Sequence, residues 1–177
     1  MTWTPPGIPA SAGALLRDPA GRLLLLKPTY KSGWTLPGGI MEDDGESPWD
    51  ACRREVLEET GVRVHSGRLV CVDTRPATPG RPLGLRFLFD CGVVAPDAPI
   101  RLQAEEIEQH RFVAPAAALD LLRGPVRRRV AALLDAGLLT AADDTGLPGP
   151  PATPPATGVV PASWCLYLEN GRPVGHG

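Results

Sequence analysis

Three glutamates, Glu55, Glu58 and Glu59, fall inside the stretch REVLEETG at residues 54–61, immediately before a glycine. If that stretch is helical, its side chains turn by 100 degrees per residue. The three carboxylates then share one arc about 100 degrees wide, with the small Ala51 one turn earlier. Glu55 and Glu59 form a like-charge pair four residues apart, which costs roughly a few tenths of a kcal/mol. Glu58 and Glu59 also lie in the last turn, where the helix dipole is already negative. A merely solvated face has no need of this arrangement, and only Arg54, four residues before Glu58, offers local relief. A divalent cation turns each repulsion into an attraction. Clustered carboxylate oxygens suit Mg²⁺, with Mn²⁺ as a substitute, better than a softer metal.

Mg²⁺ held by a few carboxylates keeps waters and takes phosphate oxygens as further ligands, so the natural partner is a phosphorylated small molecule. Lys27 and Lys31 precede the glycine pair Gly38-Gly39 and are candidates to meet the same phosphates, ordinary surface charge being the alternative. No GxxxxGK[ST] motif is present, which excludes a P-loop nucleotide site. The EDDGE loop is no EF-hand, since Arg54 stands where eleven residues beyond Asp43 would have to be a bidentate glutamate.

The element that must carry these carboxylates is well marked. Ser47 is an N-cap, Pro48 suits the first helical position, Asp50 completes a capping-box arrangement, and Gly61 suits the left-handed residue after the last turn. Trp49, Cys52, Val56 and Thr60 fall on a neighbouring face that packs. Upstream, ASAGALLRD and GRLLLLKP predict a hairpin around DPAG, with the second strand largely buried. Downstream, VRVHSGRLVCVDT, LGLRFLFDCGVV and QHRFVA predict strands, and residues 115–123 and 125–139 predict two helices parted by Gly124-Pro125. Residues 141–161 are rich in Pro, Gly, Thr and Ala and read as a linker. In residues 162–177 an Asn170-Gly171 turn predicts a short terminal hairpin, which must dock on its own domain or on another chain.

Bulk properties exclude several classes. With 177 residues, 43% of them hydrophobic, the chain can bury a real core, and a formal charge of -2 gives no overall signal for nucleic acid or an anionic membrane. Neither a leader-like segment nor an apolar run of spanning length is present, so the expected location is cytoplasmic. Cys52, Cys71, Cys91 and Cys165 are scattered without zinc spacing and read as buried free thiols. Only two of the basic residues are lysines, a weak sign of a GC-rich bacterial genome. Arg127, Arg128 and Arg129 read as a solvated helix face.

The stretch GIMEDDGESPWDACRREVLEETGV, residues 39–62, closely resembles the signature of the Nudix hydrolases. That pattern runs Gly, five residues, Glu, seven residues, then Arg-Glu-apolar-any-Glu-Glu-any-Gly-apolar. Glu46 and the run from Arg54 to Val62 fill its second part completely. Six residues separate Gly39 from Glu46, and the additional one falls in the exposed IMEDDG loop, where length changes cost little.

The resemblance implies an α/β fold, an α/β/α sandwich with a mixed central sheet over residues 1–140, with the Pro/Gly-rich extension outside it. It further implies that Glu55, Glu58 and Glu59 ligate Mg²⁺, helped by a carbonyl of Gly38 or Gly39, and that Glu46 and Arg54 tie the loop to the helix. The implied activity is hydrolysis of the diphosphate bond in a nucleoside diphosphate derivative by water. The implied base is a glutamate of the motif, such as Glu58 or Glu55, or one of Glu105, Glu106 and Glu108, with His110 a further candidate to polarise the substrate.

Substrate cues are thin. The pattern of NADH-cleaving relatives is absent, and Pro76 and Pro79 lie where ADP-ribose-cleaving relatives carry a proline, but within a loop too proline-rich to discriminate. Trp34 and the aromatics of residues 87–89 could stack on a base, although core is the commoner role. The competing class is a nucleotide-sensing module without turnover. Intact glutamates favour the enzyme. A homodimer is compatible with the sequence.

Overall fold

Leu23, Leu24, Leu25 and Leu26 are all fully buried, although successive side chains of a strand point to opposite sides, so both faces of β2 (Leu23–Pro28) must be covered. The computed structural model, which describes residues 7–95, 97–139 and 165–173, shows how. Leu23 and Leu25 join Leu15 in a core closed by α2 (Pro115–Leu121) and α3 (Gly124–Asp135). Leu24 and Leu26 join Leu16 in a second core closed by α1 (Pro48–Thr60). Cutting any of these leucines to alanine costs about 2–5 kcal/mol.

Between the helices lies a mixed sheet of β1 (Ala10–Arg17), β2, β3 (Gly38–Ile40), β4 (Arg68–Arg75), β5 (Gly84–Val93), β6 (Ile107–Val113), β7 (Leu166–Glu169) and β8 (Arg172–Pro173). Its order is β6-β2-β1-β5-β4-β7-β8, with β3 also paired to β1. The β1–β5 and β4–β7 pairs are parallel and the others antiparallel. This is the expected α/β class. No helix among the described residues is long and apolar enough to cross a membrane.

Three local expectations are corrected. The β1–β2 hairpin turns at DPAG as expected, but the strands pair only at Arg17 and Leu23 and then splay. The segment around Pro37 wedges between them: Thr35 pairs with Leu26, the Pro37 carbonyl accepts from Ala14 N–H at 2.9 Å, and β3 pairs with β1. That wedge delivers Gly38-Gly39 to the end of α1. The strand expected from Val62 begins only at Arg68, because residues 62–67 run under the helix, with Val64 in its core and Gly67 pressed against the Trp49 ring. Of the three arginines of α3 only Arg127 keeps the exposure expected of a solvated face. Arg129 is buried and pairs with the buried Asp73 at 2.6 Å, Arg128 donates to the Asn170 carbonyl at 2.8 Å, and Arg127 donates to the Leu119 carbonyl at 3.0 Å.

The hairpin around Asn170-Gly171 forms, with both residues at positive φ (51° and 74°), as a two-residue turn requires. It docks on its own chain: β7 pairs with β4, and Gly171 N–H donates to Asp73 at 2.9 Å. The expected linker, residues 141–161, lies outside the described residues.

Candidate active site

Helix α1 starts and stops where its sequence dictates. The Ser47 hydroxyl accepts from Asp50 N–H at 3.1 Å, Pro48 occupies the first turn, and Gly61, at φ 72°, closes the helix by donating to the Leu57 carbonyl at 2.8 Å. The last two turns therefore hold Glu55, Glu58 and Glu59 at a fixed pitch, with Cys52, Val56 and Thr60 buried beneath. Glu59 is only 4% exposed, and its Oε2 accepts the Gly38 backbone N–H at 2.7 Å. Burial pushes its carboxyl up to about 7. The Gly38 hydrogen bond opposes that rise, Glu55 and Glu106 add to it, and Lys31 opposes it. Burial also raises Glu55, against the pull of Arg54, with Glu58 and Glu106 adding to the rise.

Both glycines are there for close approach. Gly38 sits at φ 137°, and a Cβ on it would run into the Ala12 backbone. A Cβ on Gly39 would overlap the Glu55 carboxyl. The glycine backbone thus lies flush against two carboxylates.

Arg54 organises the rest. Its guanidinium donates to Glu46 Oε1 at 2.8 Å and Oε2 at 3.1 Å, to Glu55 at 3.0 Å, to Glu58 at 3.1 Å and to the Ile40 carbonyl at 3.0 Å. The Arg54 bond in turn holds the Glu46 carboxyl below its ordinary range. The additional loop residue is absorbed locally: Gly45 takes φ 98°, Glu46 N–H donates to Asp44 at 3.0 Å, and Glu42 N–H donates to Glu46 at 2.9 Å.

Among the described residues no three acidic, histidine or cysteine side chains converge on one point as a cation's ligands would. Arg54 holds Glu55 and Glu58, the latter 48% exposed, and Gly38 holds Glu59. The residues nevertheless fit a hard cation. Their donors are all carboxylate oxygens, Gly39 leaves room beside Glu55, and Glu59 is buried at the end of α1 with its Oε2 on the Gly38 N–H.

Of the later acids, Glu106 is the one whose charge reaches the cluster. It acts on Glu55 and Glu59, and the Tyr30 hydroxyl is raised by partial burial and then by Glu59, Glu106 and Glu55. Glu108 pairs with Lys27 at 3.1 Å on the part-exposed face of β2 and β6. His110 is exposed on β6 and packs edge-on to Phe112. Lys31 does line the cleft beside Gly38 and Gly39, a cavity of about 440 Å³ whose other walls include Tyr30, Arg81, Arg86 and Phe87. Trp34 packs in the α2–α3 core under Arg111, and Phe89 stacks on Trp49 at 5.2 Å in the α1 core. Arg81 and Arg86 were not singled out from sequence. Arg86 enters because β5 lies parallel beside β1, and Arg81 from the turn before β5.

The family model for the NUDIX domain matches residues 7–134. An uncharacterized Nudix hydrolase of Pseudomonas aeruginosa is 37% identical over 123 residues, 62% of this chain and 64% of that protein. A MutT-like protein of Streptomyces ambofaciens is 44% identical over 61 residues, covering 34% of this chain and 38% of its own. The chain spans less than two thirds of the length of these curated relatives. Among solved structures, the MutT protein of Methanosarcina mazei superposes with TM-score 0.62 at 27% identity, covering 74% of this chain and 95% of that one. The NUDIX domain of Shewanella oneidensis NrtR, solved with ADP ribose, shares the fold at TM-score 0.55 and 16% identity, covering 66% and 79%. On the match over residues 7–134, with its glutamates and glycines in place, the chain belongs to the NUDIX domain family.

Proposed function

We propose that the chain is a divalent-metal-dependent pyrophosphohydrolase that cleaves the diphosphate bond of a nucleoside diphosphate derivative by attack of water. The observation that carries this reading is the seating of Glu55 and Glu59 against Gly39 and Gly38, the two glycines that line a cleft together with Lys31. Glu55, Glu58 and Glu59 would hold Mg²⁺, or Mn²⁺ in its place. When bound, the ion supplies positive charge for phosphoryl oxygens and lowers the proton affinity of water. The protein does the positioning. Arg54 and Glu46 fix the loop to the helix, Lys31 offers a cation to a phosphate oxygen, and Glu106 stands within electrostatic reach of Glu55 and Glu59 as the acceptor of the water's proton. A cytoplasmic location belongs to the same proposal.

The test is incubation of the full chain with Mg²⁺ and a panel of nucleoside triphosphates, ADP-ribose, dinucleoside polyphosphates, NADH and nucleotide sugars, with phosphate products followed. Turnover of at least one compound that stops on chelation supports the enzyme. Binding without turnover across the panel would instead favour the sensing module, a ligand-binding use of this fold like that of the NrtR domain.

A further inference from the structure

Across the sheet, Ile40 of β3 and Arg86 of β5 are both direct partners of Ser11 on β1. They face each other over two strand spacings, roughly 10 Å at ~4.8 Å each. The floor between them is built of small residues, Ser11, Ala12 and Gly13. One wall of the cleft is therefore the Gly38-Gly39 segment backed by Glu55 and Glu59, and the other is basic.

That second wall gathers Arg81 and Arg86, with Arg75 behind them and Arg129 beside them. Arg129 is answered by Asp73, whose other oxygen accepts the Gly171 N–H; the Asp73 charge also favours Arg86, but more weakly than burial and the three neighbouring arginines oppose it. None of Arg75, Arg81 and Arg86 meets a carboxylate within 4 Å among the described residues. Arg86 donates to its neighbouring Leu85 carbonyl at 2.7 Å, and Arg75 to the Pro82 carbonyl at 2.9 Å. The Arg75 Nε is buried and has no acceptor among the described residues. Burial, and after it the charges of Arg129, Arg75 and Arg81, pushes the Arg86 guanidinium below its ordinary range. Such a group of cations repels itself unless an anion joins it. Planar guanidinium forks match phosphate oxygens in pairs.

We propose that Arg81 and Arg86, backed by Arg75, form a second anion subsite that takes a further phosphate of the substrate, distinct from the diphosphate presented to Glu55 and Glu59. This rests on the pyrophosphohydrolase reading and narrows it to substrates that carry more negative charge than a bare diphosphate link. The further phosphate is supplied either by a longer polyphosphate chain or by a phosphate ester on a ribose.

The direct test titrates inorganic phosphate into the full chain in EDTA by calorimetry. Chelation removes the metal route, so this arm is independent of hydrolysis. Saturable binding that weakens at least tenfold in Arg81→Gln and in Arg86→Gln supports the subsite; no binding, or binding unchanged in both variants, overturns it. Arg81 lies in an exposed turn, so its variant keeps the test open should Arg86→Gln fail to fold. A second arm compares kcat/KM for a dinucleoside tetraphosphate, and for a ribose-phosphorylated dinucleoside diphosphate, with that for the plain dinucleoside diphosphate. A fall of about tenfold or more in either ratio in Arg81→Gln identifies the source of the phosphate, and unchanged ratios for both overturn the inference. Absence of any turnover would instead sink the enzymatic reading and leave the binding arm to decide the subsite.

Discussion

Gly38 donates its backbone N–H to the Glu59 carboxylate at 2.7 Å, across 21 positions of the chain. This bond joins the wedge between β1 and β2 to the end of α1, and it holds an acid that burial keeps protonated up to about 7.

Replacing Glu59 by Gln keeps the shape and an acceptor for Gly38 while removing the charge. Metal-dependent kcat/KM should fall by more than the roughly 10–100-fold that loss of a ligand-orienting group costs. The far-ultraviolet circular dichroism should be unchanged. Steady-state kinetics against Mg²⁺ concentration check this, and an active variant rejects the metal assignment.

The pH dependence of the metal-free protein follows from the same residue. In the unfolded chain Glu59 ionises near 4.5, but in the folded protein it keeps its proton up to about 7. Between those values the folded state binds more protons, so its contribution to stability is full below 4.5 and is lost as pH rises through about 7. The loss amounts to at most about 3 kcal/mol. Urea midpoints in EDTA from pH 5 to pH 8 should decline, and should flatten in Glu59→Gln.

Sequence made the helix legible because its caps and its charges are local facts: Ser47, Pro48, Asp50 and Gly61 act within one or two turns. It made the carboxylate set legible because like charges at the wrong end of a helix demand an explanation. The basic wall was not legible, since Arg86 acquires meaning only from the register of β5 against β1, a contact between residues more than 70 positions apart, and Arg81 reaches the same cleft from the turn before β5. Arg129 misled for a related reason: its partner Asp73 lies 56 residues away on β4, and no periodicity in α3 betrays it. The pairing of Lys27 with Glu108 was equally hidden, because it comes from the register of β2 against β6.

A methyl group at Gly39 would displace the Glu55 carboxyl. The clash is with the mobile end of a side chain, so Gly39→Ala should fold with a melting temperature close to that of the unaltered chain. Its Mg²⁺ requirement should rise by about tenfold or more. Metal titrations of activity, set beside thermal melts, separate the two effects.

Arg54→Lys preserves charge but removes the fork that spans Glu46, Glu55 and Glu58. Activity should drop by about 10–100-fold. A variant with full activity would show that point charge alone suffices at this position.

Asp73→Ala leaves Arg129 buried without a counter-charge and Gly171 N–H without its acceptor. Global stability should fall by about 3–5 kcal/mol. The chemical-denaturation midpoint measures the loss, and Asp73→Ala with Arg129→Met should recover part of it.

The terminal hairpin has a consequence for one edge of the sheet. Without β7, the eight residues of β4 would present a row of open backbone donors and acceptors, a template for another chain's strand. The hairpin pairs with Cys71–Thr74 of that row and ends the sheet on β8, which has two residues, an arginine and a proline that carries no amide hydrogen. So short and poorly donating a border offers little for a second sheet to extend. Arg128 and Asp73, by clasping the turn at Asn170-Gly171, hold that short border in place on β4.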